Sequence, residues 1–296
     1  MKLSIVVPAH NEEQNIEKCL REIQNVVRDE HRIPYEIIVV NDNSRDGTET
    51  AVRAMMREDR CIRLVNRAEP AGFGRAIRAG LTAVSGDVAV IYMADLSDDP
   101  ADLVAYYRKI EEGYDCVFGS RFIKGSHVEK YPPIKLIVNR IVNRAIQWLF
   151  WTSHNDLTNA FKAYRIEVIR DCGPYRASHF NITIEMSLGA LIRNYRVAQI
   201  PIRWYGRTWG TSKLKLTSMG RRYLSTLIMM LAQHFLVSDD LLVERVLGKD
   251  AFPQGRLGED ALGPVPHDER AFTTGHVTVQ DEEPPVPLRE QATRAA

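Results

Sequence analysis

Three carboxylates follow directly on a short apolar run in Tyr92-Met93-Ala94-Asp95-Leu96-Ser97-Asp98-Asp99-Pro100. Oxygen donors in that setting suit a hard divalent cation, Mg2+ or Mn2+, held against a diphosphate. Asp98 and Asp99 also have a local use, since Asp caps a helix and Pro100 fits its first turn. Asp95 has no such use, and it is the leading candidate for chemistry. Three further clusters sit in similar places. In Pro8-Ala9-His10-Asn11-Glu12-Glu13 the pattern predicts a helix start with Asn11 as N-cap and the acids favoured by the helix dipole. A carboxylate at such a helix start could also hold the base and ribose of a nucleotide. Asn41-Asp42-Asn43-Ser44-Arg45-Asp46-Gly47-Thr48 reads as a turn and a cap, with Asp42 placed for a ribose or base contact. Gly72-Phe73-Gly74-Arg75-Ala76 opens a helix, and its glycines let backbone approach a ligand closely.

The elements that must position these clusters are legible as runs. Leu3–Pro8, Tyr35–Asn41, Ile62–Val65, Val88–Met93 and Cys116–Gly119 are short, mostly apolar and rich in Val and Ile. Such runs predict strands buried on both faces of a parallel sheet. Between them Ile16, Leu20, Ile23 and Val27 recur at helical spacing, as do Ile77, Leu81 and Val84, and Leu103, Tyr107 and Ile110. The alternation predicts an α/β fold, a Rossmann-like, mostly parallel doubly wound sheet. Ligands bind such sheets beyond the carboxyl ends of the strands, where all four clusters fall.

Composition narrows the partners. The chain has 296 residues and a formal net charge of +1, which gives no sign of a nucleic-acid partner. The four cysteines are scattered without ligand spacing and read as reduced packing residues of a cytosolic protein. The opening apolar run is too short for a signal peptide. Tyr223–Val237, fifteen residues, carries no formal charge, whereas a membrane span needs about 17–25. The apolar segment Ile134–Trp151 is interrupted by Lys135, Arg140 and Arg144. It fits either a core helix with a solvated stripe or an interfacial helix anchored by Trp148 and Trp151. A helical pattern from Leu216 to Val237 follows. Residues 248–296 hold six of the fourteen prolines and nine acids against five bases, the composition of a disordered tail. The expected organisation is a domain over 1–216 in two halves, 1–120 and 121–216. An amphipathic helix (217–247) and the tail (248–296) complete it.

Taken in order, the four clusters resemble the family 2 glycosyltransferases of the GT-A fold. The second half adds Phe118-Gly119-Ser120-Arg121-Phe122, then the run from Asp156-Leu157-Thr158 to Lys162-Ala163-Tyr164-Arg165, then Arg207-Thr208-Trp209-Gly210-Thr211-Ser212-Lys213-Leu214. These are similar to motifs of dolichyl-phosphate mannosyltransferases and their bacterial relatives. The resemblance covers residues 3 to about 216, and it implies a nucleotide-sugar half (1–120) and an acceptor half (121–216). It implies that Pro8, His10, Glu12, Asp42, Gly74, Arg75 and Asp95 hold a nucleotide sugar. It implies Asp95 and Ser97 as metal ligands, Asp95 and Arg121 as catalytic residues, and Arg121, Arg207, Ser212 and Lys213 as the phosphate-binding set. Glu185 falls where the family has a second-domain acid and has no assigned role. Three positions depart from the family: Met93 stands for the first Asp of the metal motif, Ser97 for a common Gln, and His10 for a common Tyr.

The function implied is inverting transfer of a hexose-type sugar from a GDP- or UDP-sugar to a polyprenyl phosphate. The enzyme would be cytoplasmic and peripheral on the inner face of the cytoplasmic membrane. A hydroxyl acceptor would need a general base, for which Asp98 or Asp99 is nearest. A phosphate monoester would not, because its second pKa is about 6. Two alternatives stay open: a family 2 enzyme acting on a sugar or secondary-metabolite hydroxyl, and a non-catalytic nucleotide-sugar binder suggested by Met93.

Overall fold

The computed structural model describes residues 1–206 and 216–247; Arg207, Ser212, Lys213 and the segment from residue 248 lie outside the described residues. Chain order gives β1 (Leu3–Ala9), α1 (Glu13–Gln24, prolonged by a π-type stretch over Asn25–Glu30), β2 (Tyr35–Asp42), α2 (Thr48–Glu58), β3 (Ile62–Arg67), α3 (Phe73–Thr82), β4 (Val88–Ile91), α4 (Ala101–Glu111) and β5 (Cys116–Ser120). There follow β6 (His127–Glu129), α5 (Pro133–Phe150), β7 (Lys162–Arg165), α6 (Ile166–Cys172), α7 (Ile182–Ile192), β8 (Val197–Pro201), β9 (Arg203–Tyr205) and α8 (Leu216–Leu247). The five strands expected from apolar runs are all present. The sheet is mostly parallel, in the order β3-β2-β1-β4-β7-β5-β8.

Strand periodicity divides the core in two. Ile5, Val7, Ile37 and Val39 point to one face, with Ile16, Leu20, Leu103 and Ile110 of α1 and α4. Val6, Ile38 and Val40 point to the other, with Ile77 of α3, Ile146 and Phe150 of α5, and Ile182 of α7. Successive residues of β1 and β2 are thus buried on opposite sides, which is why these strands read as unbroken apolar runs.

Two topological features place the site. Strand order reverses between β1 and β4, the position where sheets of this kind leave a ligand crevice beyond the strand ends, and His10–Glu12 and Asp95 follow these two strands. Strand β7 runs antiparallel between β4 and β5, pairing Lys162 with both Ile91 and Phe118. Its first residue therefore lies at the edge where β4 and β5 end, and the loop leading into it reaches Arg121.

Of the two readings open for this segment, helix α5 does not fit a core helix with a solvated stripe. Only Asn143, Ile146 and Phe150 are buried, while Ile134, Ile137, Ile141 and Trp148 are 73%, 59%, 64% and 79% exposed, and the following Trp151 90%. Helix α8 runs ten residues past the expected Val237. It packs inward through Met230, and Asn181 Nδ2 donates to Thr226 Oγ1 at 2.9 Å. Its Leu224, Ile228, Phe235 and Leu236 are exposed. Among the described residues no helix is long and apolar enough to cross a membrane. A two-stranded sheet of β6 and β9 was not legible in the sequence.

Candidate active site

One side of the candidate site is built on the ends of β1 and β2. Pro8 lies within β1, opposite Val40. Asn11 is not the N-cap: its φ of 56° places it in the left-handed region, and α1 begins at Glu13. It bridges two loops instead. Its N–H donates to Ser44 Oγ at 3.0 Å, and its Oδ1 accepts the Arg45 N–H at 2.8 Å. Glu12 Oε2 accepts from Asn15 Nδ2 at 2.8 Å. His10 Nδ1 lies 2.6 Å from the Asp42 carbonyl. The Asp42 carboxylate is buried, pairs with Arg67 through one oxygen, and accepts the Gly72 N–H at 2.7 Å through the other. It therefore fastens β2 to the glycine turn.

That turn faces protein as well as crevice. Ser178 O accepts the N–H groups of Gly74 at 3.1 Å and Arg75 at 3.4 Å. A Cβ on Gly74 would lie 2.5 Å from Ala177 O, and one on Gly72 2.5 Å from Ser178 O. The glycines thus admit a second backbone, where the sequence had suggested a ligand. Arg75 reaches back to Ala71 O at 3.1 Å.

Beyond β4, Asp95 is 5% exposed, and its Oδ1 accepts the Ser97 N–H at 3.2 Å. Leu96 between them has a φ of 60°. Left-handed backbone is costly for such a residue and persists where a site over-determines it. The two acids expected to be caps divide. Asp99 accepts the Ala101 N–H at 2.9 Å and pairs with Arg203 at 3.1 Å. Asp98 instead folds back to accept the Met93 N–H at 3.3 Å. Burial first, and then the charge of Asp95, push the Asp98 carboxyl up to about 8. Two buried carboxyl groups that repel one another, with Ser97 between, form an oxygen donor set that fits a divalent cation. Among the described residues no group of three or more His, Cys, Asp or Glu side chains gathers there. Such an ion would thus take few protein ligands.

Across β7, Arg121 follows β5 and is nearly enclosed, with a side-chain exposure of 8%. Its Nε and Nη2 donate to the two oxygens of Asp156 at 2.8 and 2.7 Å, and its backbone N–H donates to the same group at 3.0 Å. Nη1 points to the Tyr131 hydroxyl at 3.4 Å. Thr158, Asn139 and Asn143 extend this network into α5: Thr158 Oγ1 donates to Asn139 Oδ1 at 2.6 Å and accepts from Asn143 Nδ2 at 2.8 Å. Underneath, the buried Lys162 donates to Leu157 O and Ser187 Oγ, both at 2.6 Å, and burial lowers its pKa to about 7.

The Glycosyl transferase family 2 model matches residues 4–173. This chain belongs to that family. Its curated relatives include the dolichol-phosphate mannosyltransferase of Pyrococcus furiosus, 29% identical over 73% of this chain and 60% of that protein. The polyprenol monophosphomannose synthase of Mycolicibacterium smegmatis is 27% identical over 71% and 80%. The chain thus spans less than two thirds of the Pyrococcus relative's length. Among solved structures, the glucosyl-3-phosphoglycerate synthase of Mycobacterium tuberculosis in complex with Mn2+, UDP and glucosyl-3-phosphoglycerate has a TM-score of 0.60 at 21% identity, covering 78% of this chain and 80% of that one. That likeness establishes the GT-A fold.

Within this family 2 site the structure gathers His10, Asp42, Gly74 and Arg75 around one turn, and Asp95 with Ser97 at the end of β4. Arg121 stands across β7 from them. Sequence reasoning missed the partners that hold these residues: Arg67 for Asp42, Asp156 and Tyr131 for Arg121, and Asn139 with Asn143. The last pair was signalled by Asn139-Arg140 and Asn143-Arg144, a repeat four residues apart that puts both amides on one helix face.

Proposed function

We propose that this chain transfers a hexose-type sugar from a GDP- or UDP-sugar to a polyprenyl phosphate, with inversion, at a membrane surface. The observation that carries the reading is the chemistry of the acceptor side. It presents a cation locked on Asp156, and the acids near it are committed to other partners. Asp156 is bound by Arg121, Asp99 by Arg203 and the Ala101 N–H, and Asp98 is buried against the Met93 N–H. A hydroxyl nucleophile would need a base from this set. A phosphate monoester is already anionic near neutral pH and needs a cation to draw it in.

The crevice at β1 and β2 would orient the nucleotide through His10, Glu12 and Asp42, and Gly74 and Arg75 would wall it. Asp95 would hold Mg2+ or Mn2+ with Ser97 and the neighbouring Asp98. When bound, the ion supplies charge neutralisation on the departing diphosphate. Arg121 would orient the acceptor phosphate, with Arg207, Ser212 and Lys213 completing the phosphate-binding set. The names of the Pyrococcus and Mycolicibacterium relatives support a polyprenyl acceptor, and the Mn2+ and UDP of the M. tuberculosis synthase support the donor side.

Incubation with labelled GDP-mannose or UDP-glucose and undecaprenyl phosphate is expected to give an acid-labile product that extracts into organic solvent. Equal transfer to unphosphorylated undecaprenol, or turnover with soluble hydroxyl acceptors alone, would overturn the reading.

The outward face of α5 supports peripheral attachment. Ile134, Ile137, Ile141 and Trp148 project apolar surface, with Arg140 and Arg144 exposed on the same helix. A helix of this kind lies in the headgroup plane, its cations at the lipid phosphates and its tryptophans at the interface. Burying one such side chain contributes at most about 1.5–3 kcal/mol. An Ile137→Glu, Ile141→Glu, Trp148→Glu variant is therefore expected to lose about 100-fold in partition onto anionic vesicles, with an unchanged melting temperature. Undiminished vesicle binding would show that α5 is not the docking face.

A further inference from the structure

Glu185, the acid left without a role by the sequence, sits in the first turn of α7 and is 5% exposed. Its two carboxylate oxygens accept consecutive backbone N–H groups, Oε1 from Arg176 at 2.7 Å and Oε2 from Ala177 at 2.8 Å. Both oxygens thus face inward to the loop that precedes its own helix. A carboxylate held this way is a structural pin.

The pinned loop reaches the other half of the molecule. One residue beyond Ala177, Ser178 O accepts the Gly74 and Arg75 N–H groups of the glycine turn. Tyr175 O accepts from Arg78 Nη1 of α3 at 2.9 Å. Phe180 stacks on Phe73, with ring centroids 4.2 Å apart and planes within 9°. From the turn the path continues through the Gly72 N–H to the Asp42 carboxylate, and from Asp42 to Arg67 and His10. A residue of α7, in the acceptor half, is thereby connected to the residues that end β1 and β2. The contact is backbone against backbone, so it depends on loop position and on the two glycines rather than on any side chain of the loop itself.

We propose that Glu185 is a positioning residue for the donor: through the loop Arg176–His179 it sets the glycine turn and, with it, the Asp42 side of the nucleotide pocket. The inference rests on the reading of that crevice as the nucleotide site. It separates Glu185 from the general-base role an acid in the acceptor half would otherwise suggest, because neither oxygen is turned toward an acceptor. It also gives Gly74 a partner that explains why a side chain is excluded there: a Cβ would meet Ala177 O at 2.5 Å and His179 O at 2.8 Å.

Two perturbations reach the contact from opposite sides. Glu185→Gln replaces one acceptor oxygen by an amide donor facing an N–H, and Gly74→Ala pushes the loop away from the turn. Titration of full-length protein with GDP and with UDP, in MgCl2 or MnCl2, is expected to show Kd for the preferred nucleotide raised about tenfold in each variant. Because both act on one contact, the double variant is expected to stay near tenfold rather than reach a hundredfold. In Glu185→Gln the KM for undecaprenyl phosphate and the rate at saturating donor should stay within twofold of wild type. Hydrogen exchange should show the Gly74 and Arg75 amides losing protection in Glu185→Gln while strand amides of β1 and β2 keep theirs, a pattern that general destabilisation does not give. A Kd within twofold of wild type in Glu185→Gln, additive losses in the double variant, or unchanged protection at Gly74 and Arg75 would each overturn the proposal. Nucleotide binding needs no acceptor. A wild type that binds nucleotide but refuses lipid phosphate would therefore sink the acceptor reading and leave this one standing. Should the wild type bind neither nucleotide, the donor reading fails and this inference fails with it.

Discussion

An Asp95→Ala variant is expected to lose about 1,000-fold in transfer rate while melting within about 4 °C of the wild type. Its carboxylate lies beyond the end of β4 and accepts the Ser97 N–H at 3.2 Å. Losing one such bond costs about 1 kcal/mol. Against that, the substitution removes the charge that helps to push Asp98 up to about 8, so the buried pair no longer repels. The relieved repulsion opposes the lost hydrogen bond, whereas the proposed electrostatic hold on a departing diphosphate would have no substitute, since Met93 offers a thioether where an oxygen donor is needed. Steady-state transfer, a thermal melt and Mn2+ binding followed by paramagnetic resonance would measure all three. Near wild-type turnover with metal still required would remove Asp95 from the site.

Arg121 presents the opposite balance, in which activity and stability fall together. In Arg121→Ala the carboxylate of Asp156, whose side chain is fully buried, would lose both arms of its fork. Breaking a buried pair from one side costs about 3–5 kcal/mol, which in a chain of this size lowers the melting temperature by roughly 6–20 °C. Arg121→Lys keeps the charge but cannot bond both oxygens in parallel, and should recover only part of either loss. A double variant, Arg121→Met with Asp156→Leu, separates the two functions. Removing both charges is expected to restore most of the stability, while transfer to lipid phosphate stays below about 1% of wild type. Slow donor hydrolysis should persist, as water needs no cation to bring it in. A double variant that is both stable and active would show that Arg121 serves the fold alone.

The sheet was legible because its strands are buried on both faces. Ile37 and Val39 serve one core layer and Ile38 and Val40 the other, so no polar residue interrupts the run. The strand-end acids were legible for the same reason, being the first polar groups after such a run. What escaped were features set by distant partners. Asn11 has the side chain of a cap, yet hydrogen bonds to Ser44 and Arg45 draw it into the left-handed region and leave the helix to start at Glu13. Gly72 and Gly74 were recognised as a close approach, but nothing local shows that the approaching group is residues 177–179, a hundred positions away. Strands β6 and β9 are three residues each and largely exposed or half-buried, so they carry no apolar pattern. In α5 the spacing of apolar residues is the same whether they face a core or a bilayer; only the packing of Asn143, Ile146 and Phe150 decides which side is inward.

The antiparallel course of β7 has a consequence for how such a molecule diversifies. Because β5 ends and β7 begins at one edge of the sheet, with Phe118 beside Lys162, the chain from Arg121 to Phe161 departs and returns at neighbouring points. It is an excursion with both feet on one rim of the sheet, and β1 to β4 precede it in the chain. A segment anchored like that can be lengthened, shortened or exchanged without rewiring those strands. One scaffold for activated sugars can in this way be fitted to very different acceptors, with Asp156 and Lys162 as the fixed hinge pins on which each new excursion hangs.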